Sequence, residues 1–503
     1  MERLRRVVNN TVISLVGQLI TWTSTLLLTI AYGRFLGDVK FGDLYFALTF
    51  VLLIGFPIES GFNQQLTRDV AQEPNKALRY LSNTLLIKGT LWLVLYGAIL
   101  LLTRLLGYPD EIRSLVTICG ITLLSTSIAN TFAASHYAFE RTVFPVIGTI
   151  FEKGLTALFG ILLLKLGADV QVMAFVLLGG SLINATWQAA WFFRLVGFSF
   201  HIDLALIRAI MRVSIPFVVY GVLGVIYYRI DTVFLSLMTS TAVVGWYGAG
   251  YRIFDTLVFL PNLVISAIMY PIFAKLSIHS TRELRMAIEK SMNFLLFASI
   301  PIMAFIIAAT PVIVGFLYHR PEFLHTIPVM QALAPGLVFL YVNSVLSATL
   351  VSIKQERKIT IMAAIALVFN LGLNLILIPR YQHVGAALVT SLTELLLLSI
   401  AVIFVPRNLL PLGSLRIGIK VLVASAIMAL VTWLTIWQLH IVNVFVVLSI
   451  AILVYLGTAT LLGTIPREDL QALYFAVRRR AHRVPPSPSN DQIEESNATL
   501  EVV

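Results

Sequence analysis

The sequence predicts an all-α polytopic membrane protein of about 14 transmembrane helices, with two six-helix bundles in pseudo-two-fold arrangement and two additional C-terminal helices. Three observations carry this prediction. Of the 503 residues, 58% are hydrophobic and 12% charged, about half the charge of a soluble chain, and mean hydropathy is +0.89. Apolar runs long enough to span a bilayer recur along nearly the whole chain. Basic residues gather on alternate loops. A β-barrel would instead alternate over segments of about ten residues, a pattern scarce here.

Taken in order, the apolar runs lie at roughly 9–34, 41–63, 82–106, 113–136, 143–166, 170–194, 213–238, 242–275, 289–317, 327–352, 358–379, 383–406, 417–438 and 440–463. The N-terminal MERLRRVVNN leads into a run too long for a signal-peptide core, so it is expected to enter the first membrane helix. With that end in the cytoplasm, 25 of the 36 basic residues fall on inner segments and their flanks, seven on outer ones and four inside spans. The bias predicts an even number of spans, both termini cytoplasmic, in the plasma (inner) membrane. The net charge of +11 is therefore explained by topology and needs no nucleic-acid partner. The lone Cys119 excludes an intrachain disulfide framework or a multi-thiolate metal site, and no cofactor motif is found.

The expected domains are an N-terminal six-helix bundle over 1–197, an inner-surface amphipathic linker over 198–212, and a C-terminal six-helix bundle over 213–406. Two additional helices over 407–463 and a basic, then disordered, cytoplasmic tail over 464–503 follow. The linker FSFHIDLALIRAIMR interleaves apolar residues with Asp203, Arg208 and Arg212, as a surface helix does. In the tail, Arg478–Arg480 suits anionic membrane lipids or a stop-transfer flank equally well. Asn497 in its sequon would carry no glycan on that side. Loops of about twenty residues at most leave no room for a soluble catalytic domain.

An internal repeat supports the two bundles. The stretch from span four into span six lines up with that from span ten into span twelve: placing Glu140 and Arg141 on Glu356 and Arg357 matches two turns, the two following spans, without a gap across the span, and two exits toward the outer face. Tyr45 and Ala47 likewise match Tyr247 and Ala249. Six spans separate the copies, which gives them the same orientation, and transporters built this way hold substrate between the halves.

Charges inside spans mark a functional region, since each costs on the order of 3 kcal/mol at mid-bilayer. Arg229 and Asp231 sit in one span of a hairpin, Arg252 and Asp255 in the next. Asp231 lies nine residues before the turn at Ser240 and Arg252 twelve after, a depth difference of a few ångströms that allows a cross-hairpin pair. The four charges either neutralise one another or leave an arginine for a ligand. Glu59, near the inner end of its span, is expected to reach water. Pro216, Pro261, Pro271, Pro301 and Pro335 are candidate kinks.

The first-span segment RRVVNNTVISLVGQLITWTSTLLLTIAYGRFLG, the GFNQQLTRDVA closing the second, YYRIDTVFLS in the seventh and KQERKITIMAAIALVFNLGLNLILIPRYQHVGAALVTSLTE in spans eleven and twelve resemble bacterial polysaccharide-biosynthesis flippases of the O-antigen (Wzx) type. These belong to the multidrug, oligosaccharidyl-lipid and polysaccharide exporter superfamily. The resemblance implies two bundles around a central cavity and an alternating-access flippase, not an enzyme. Its implied cargo is an undecaprenyl-pyrophosphate-linked oligosaccharide, with the polysaccharide polymerase machinery as a partner.

Such a headgroup calls for arginine forks, which fit phosphate. The expected contacts are Arg252 first, then Arg229, with Lys88 and Lys153 beyond. Asn130, Tyr228, Tyr251 and Asn370 are candidates for sugar hydroxyls, or else residues that join helices. Asp231, Asp255, Glu152 and Glu394 make the cavity near neutral, unlike what the related lipid II flippases lead one to expect, and could bind a coupling proton or sodium ion. A cation-coupled drug or small-molecule exporter of the same superfamily is the alternative, and a membrane-embedded glycosyltransferase or polymerase the second.

Overall fold

The computed structural model describes residues 2–464, and among them there is no β-strand. Hydrocarbon offers backbone N–H and C=O groups no water, so each must be satisfied within a helix. The helices are α1 Glu2–Gly55, α2 Phe62–Gln72, α3 Ala77–Leu105, α4 Asp110–Ala138, α5 Val143–Lys165, α6 Val170–Val196 and α7 Leu204–Met238. They continue as α8 Thr241–Val264, α9 Tyr270–His279, α10 Thr281–Tyr318, α11 Thr326–Ser352, α12 Glu356–Phe404, α13 Gly413–Trp437 and α14 Val444–Leu461.

Eleven described helices are long and apolar enough to cross a membrane. Run straight, the 54 residues of α1 would measure about 80 Å, far more than the roughly 30 Å hydrocarbon layer. Gly37, at φ 77°, divides it into two passages. Gln382, at φ 48°, divides the 49 residues of α12 in the same way. With α8, which carries Arg252 and Asp255, the fourteen expected passages are all present as helix.

Packing follows two sets. In the first, α1 packs on α4 and α5, α4 on α3 and α6, and α5 on α6. In the second, α11 packs on α8, α10 and α12, and α12 on α7. The C-terminal pair is added from one side, α13 on α10 and α14 on α13, and the sets meet where α1 packs against α7 and α8. Small residues make the close approaches, as lipid-embedded helices require. A Cβ on Gly180 would lie 2.1 Å from Thr156 Oγ1, and one on Gly148 2.4 Å from Asn184 Oδ1, so α5 and α6 sit nearly backbone to side chain.

The α4–α5 and α11–α12 turns close in the same way, as do several other helix ends of the chain. Glu140 (φ 57°) and Lys354 (φ 60°) are the left-handed residues of the α4–α5 and α11–α12 turns. In each turn the next residue's N–H closes on a carbonyl five back, Arg141 on His136 and Gln355 on Leu350, both at 2.9–3.0 Å. The left-handed residue falls at Glu140 in one turn and at Lys354, two residues before Glu356, in the other.

Residues 198–212 are divided between two conformations. Residues 197–203 are non-helical and α7 runs on unbroken from Leu204. Asn83 on α3 pins this strap, donating to His201 O at 2.9 Å and accepting from Asp203 N at 2.8 Å. Asp203 caps α7 through Ala205 N and Leu206 N and pairs with Arg79, whose hydrogen bond holds its carboxyl below the usual range. Phe198, Phe200 and Ile202 alternate outward.

Pro261 is followed by a π-helical turn, Ile265–Met269, and Pro271 opens α9. The expected tail, with Arg478–Arg480 and Asn497, lies outside the described residues.

Candidate functional site

The hairpin of α7 and α8 pairs its charges differently from the depth argument. Arg229 Nη2 donates to Asp255 Oδ2 at 2.8 Å, and its guanidinium lies 5.2 Å from the centre of the Tyr251 ring. Asp231, two residues on, points to nearly the opposite side of α7. There it is buried and accepts from the Tyr247 hydroxyl and, at 2.7 Å, from Thr232 N–H. The Asp231–Arg252 pair allowed by depth does not form, because depth along a helix leaves the azimuth open.

Arg252 has no ion-pair partner among the described residues. It lines two cavities against α1. The one of about 110 Å³ it shares with Arg229, Thr29, Tyr32, Tyr45 and Thr49; the other, about 210 Å³, with Trp22, Thr25, Thr256 and Asp255. The Tyr32 and Tyr45 hydroxyls are buried without a hydrogen-bond partner. A buried donor left unmade costs about 1–3 kcal/mol, so two of them beside two guanidinium groups describe a socket that an anion would complete.

In the first set, Lys88 is enclosed at 2% exposure. It donates to Glu59 Oε1 and Asn63 Oδ1 at 3.1 Å and to Thr131 Oγ1 at 3.0 Å. Asn130 donates to the other Glu59 oxygen at 3.0 Å. Glu59, expected to reach water, is thus the counter-ion of Lys88, and the lysine ammonium has no donor left for a headgroup. Glu152 accepts from Lys153 and Asn184, both at 2.7 Å. A cleft of about 300 Å³ lined by Asn63, Asn130, Thr149, Asn184 and Gln188 runs past this network.

The largest cavity described, about 760 Å³, lies wholly in the second set and is lined by Tyr227, Tyr228, Asn343, Ser344, Ser347 and Glu394 among apolar residues. Asn370 does not line it. It donates to Thr393 Oγ1 and accepts from Asn374, joining the two passages of α12.

The two sets close on each other beside the arginine socket. Gly42 on α1 and Gly245 on α8 meet reciprocally: a Cβ on Gly42 would lie 2.0 Å from Thr241 O, and one on Gly245 2.1 Å from Asp38 O. Trp246 Nε1 donates to Asp38 Oδ2 at 2.9 Å. Arg34 donates to Phe316 O and Leu317 O, and Arg320 donates back to Arg34 O, at 2.6–2.7 Å. Further along α7, Ser214 Oγ donates to Gln65 on α2 at 2.8 Å.

The sequence reading missed the α1 side of the socket. Its signal was present: Trp22, Thr25, Thr29 and Tyr32 recur at spacings of three and four, one polar stripe on an apolar helix.

Comparison with known proteins bears on this arrangement. Residues 7–277 match the family model described as polysaccharide biosynthesis protein, and residues 191–456 the one described as lipid II flippase MurJ. The chain is 21% identical over 374 residues to a probable low-salt glycan biosynthesis flippase, Agl15, of Haloferax volcanii, covering 72% of this chain and 75% of that protein. Among solved structures it is similar to the lipid II flippase MurJ in an inward closed conformation, with a TM-score of 0.74 at 17% identity over 92% of this chain and 99% of that one. It is also similar to an inward-facing multidrug resistance MATE family transporter of the MOP superfamily, with a TM-score of 0.63 at 15% identity over 79% and 94%. At these identities the structural likeness establishes the fold.

Proposed function

We propose that this chain, which belongs to the polysaccharide biosynthesis protein family, is a flippase that carries a lipid-linked oligosaccharide from the inner to the outer leaflet by alternating access. The cargo class follows the family and the flippase names of its relatives. The observation that carries the reading is the socket of Arg229, Arg252, Tyr32 and Tyr45 where the two sets meet.

A phosphate-linked headgroup is an anion that cannot cross hydrocarbon bare. Arg252, which has no ion-pair partner among the described residues, is placed to take it, with Arg229 and the two tyrosine hydroxyls completing the contacts. Asp255 holds Arg229 at the socket and gives way in part when a stronger, dianionic partner arrives. An undecaprenyl pyrophosphate carrier meets these requirements. The amide-rich cleft of Asn130 and Asn184 supplies donors and acceptors for sugar hydroxyls. The reciprocal glycine contact and the Arg34–Arg320 clasp form the outer gate.

The test is complementation of a deletion strain with Arg252→Ala, following surface glycan and lipid-linked intermediates by mass spectrometry. Expected are complete repeat units accumulating on the carrier, loss of surface polymer and normal membrane insertion. Normal surface glycan would remove Arg252 from the site. Unchanged glycan with altered tolerance to organic cations in the deletion strain would instead establish the second reading, a cation-coupled exporter, which the isolated Glu394 and the MATE likeness favour.

A further inference from the structure

The cleft of about 300 Å³ in the first set is walled by polar groups whose hydrogens are already committed elsewhere. It lies between α2, the last turns of α4, the start of α5 and the second half of α6, at the end of the set that the basic-residue bias places inside.

Two buried carboxylates set the direction of its amides. An ionised carboxylate only accepts, so an amide beside one turns its NH2 toward it and its carbonyl away. Glu59, paired with Lys88, takes Asn130 Nδ2 at 3.0 Å, which leaves the Asn130 carbonyl on the other side. Glu152, paired with Lys153, takes Asn184 Nδ2 at 2.7 Å. The Asn184 oxygen in turn accepts from Gln188 Nε2 at 3.3 Å, and this chain of amides ends at Gln188 Oε1, buried without a donor. The α5 backbone holds the pair in place: a Cβ on Gly148 would lie 2.4 Å from Asn184 Oδ1 and 3.0 Å from Gln188 Nε2.

The hydroxyls obey the same rule. Thr67 Oγ1 donates to Asn63 O and Ala134 O, each at 3.0 Å, and Thr149 Oγ1 donates to Pro145 O at 2.9 Å. Both therefore have only lone pairs to offer a ligand. Asn63 is spent at both ends, donating to Glu59 and accepting from Lys88. No cation in the wall offsets these acceptors, because Lys88 is used up on Glu59, Asn63 and Thr131 and Lys153 does not line the cleft.

We propose that this cleft selects sugars that present hydroxyl and amido N–H donors and carry no acid group, and that Glu59 and Glu152 impose the choice by orienting the amides. The inference rests on the lipid-linked oligosaccharide reading above and names the class of sugar within it. A neutral ring donates to the carbonyls of Asn130 and Gln188 and to the threonine oxygens. A uronate brings a carboxylate, which only accepts; it would exchange its hydration for lone pairs and find no ammonium. The phosphate of the cargo is met elsewhere, at the arginine socket. Glu59 and Glu152 are positioning residues here, since they act through the amides they hold.

The experiment is saturation-transfer NMR on the purified full chain in nanodiscs, with methyl glucoside, methyl N-acetylglucosaminide and methyl glucuronide as probes. Expected is transfer to the two neutral glycosides that exceeds transfer to the glucuronide by about tenfold or more, as a site with fixed hydrogen-bond direction should give. Asn130→Leu with Gln188→Leu should abolish the neutral signal. Glu152→Gln with Lys153→Gln keeps the net charge and frees Asn184 and Gln188 to turn, so the glucuronide signal should rise toward the neutral ones, whereas Lys153→Gln alone should leave the preference intact. A glucuronide signal equal to the neutral ones in the parent chain, a neutral signal unchanged by the double leucine variant, or no transfer from any of the three would overturn the proposal. The parent comparison needs no variant to fold. Neutral-sugar transfer together with an unchanged surface glycan in the deletion strain would keep the site and overturn the flippase reading; lost glycan without sugar transfer would do the reverse.

Discussion

Replacing Gly245 or Gly42 by alanine should hold the outer gate open. A Cβ at Gly245 would meet Asp38 O at 2.1 Å, and one at Gly42 would meet Thr241 O at 2.0 Å and Gly245 N at 2.9 Å. All these neighbours are backbone atoms that no rotamer change can move. Ordinary contact needs about 3.5 Å, so α1 and α8 must separate by about 1 Å or more. Trp246–Asp38 and the Arg34–Arg320 clasp are bonded across the same junction and stretch with it. Overpacking of this kind costs about 1–3 kcal/mol, which falls only on the closed state and shifts the closed-to-open ratio by about 5- to 150-fold. The assay is electron–electron distance measurement between spin labels at Val39 and Leu324, both exposed and on opposite sides of the junction, in a Cys119→Ser background. The expected result is a population at longer distance that dominates in either alanine variant, with loss of transport and unchanged expression. A distribution identical to that of the parent protein, with full transport, would refute the assignment of this contact as a gate.

Lys88→Met should destabilise the first set by about 3–5 kcal/mol, since it strands Glu59 in a buried network; thermal unfolding in detergent measures this, and Lys88→Met with Glu59→Gln should recover most of it. Across Arg229 and Asp255, a double-mutant cycle on stability should return a coupling of about 0.5–3 kcal/mol, while transport fails in Arg229→Gln and persists in part in Asp255→Asn. Asp203→Asn should speed hydrogen exchange over residues 197–206 by weakening the Arg79 contact and the cap of α7. Because the Asp203 carboxyl is held below its ordinary value by Arg79, its stabilisation is present above the unfolded value of about 4 and is lost as pH falls through the lowered one, so the strap should stay protected at pH 5.

The passages were legible because hydrophobicity over about twenty residues is a strong one-dimensional signal, and Gly37 and Gln382 fall at the boundaries it gives. Pairings between passages were less legible. Lys88 meets Glu59 from 29 positions away, across a break at Gly61 whose φ of 81° redirects the chain. The α1 tyrosines reach the arginine socket only because the turn at Gly37 brings two passages to one side of α8. Periodicity could have flagged the stripe of Trp22, Thr25, Thr29 and Tyr32, but not what it faces.

The near-neutral charge count of the spans shows most clearly what a sequence can conceal. Four basic and five acidic residues were singled out within the membrane, and their sum suggested a cavity without a strong preference for anions. In the fold that sum is resolved locally. Lys88 and Glu59 cancel within the first set, Lys153 and Glu152 cancel beside Asn184, and Arg229 and Asp255 cancel across the hairpin. Asp231 is met by hydroxyl and backbone donors. What is left without an ionic partner, among these nine, is Arg252 beside the junction of the sets, Asp231 on the far side of α7 and Glu394 in the separate cavity of the second set. Residual charges of opposite sign held in different places are not a neutral cavity; they mark two places, the arginine socket and the cavity of the second set, where a bound ion would change the balance. Occupying either changes the charge that the protein must carry through the hydrocarbon layer, and at roughly 2.3 kcal/mol per charge per 100 mV that change is large enough for each site to bias the same conformational equilibrium.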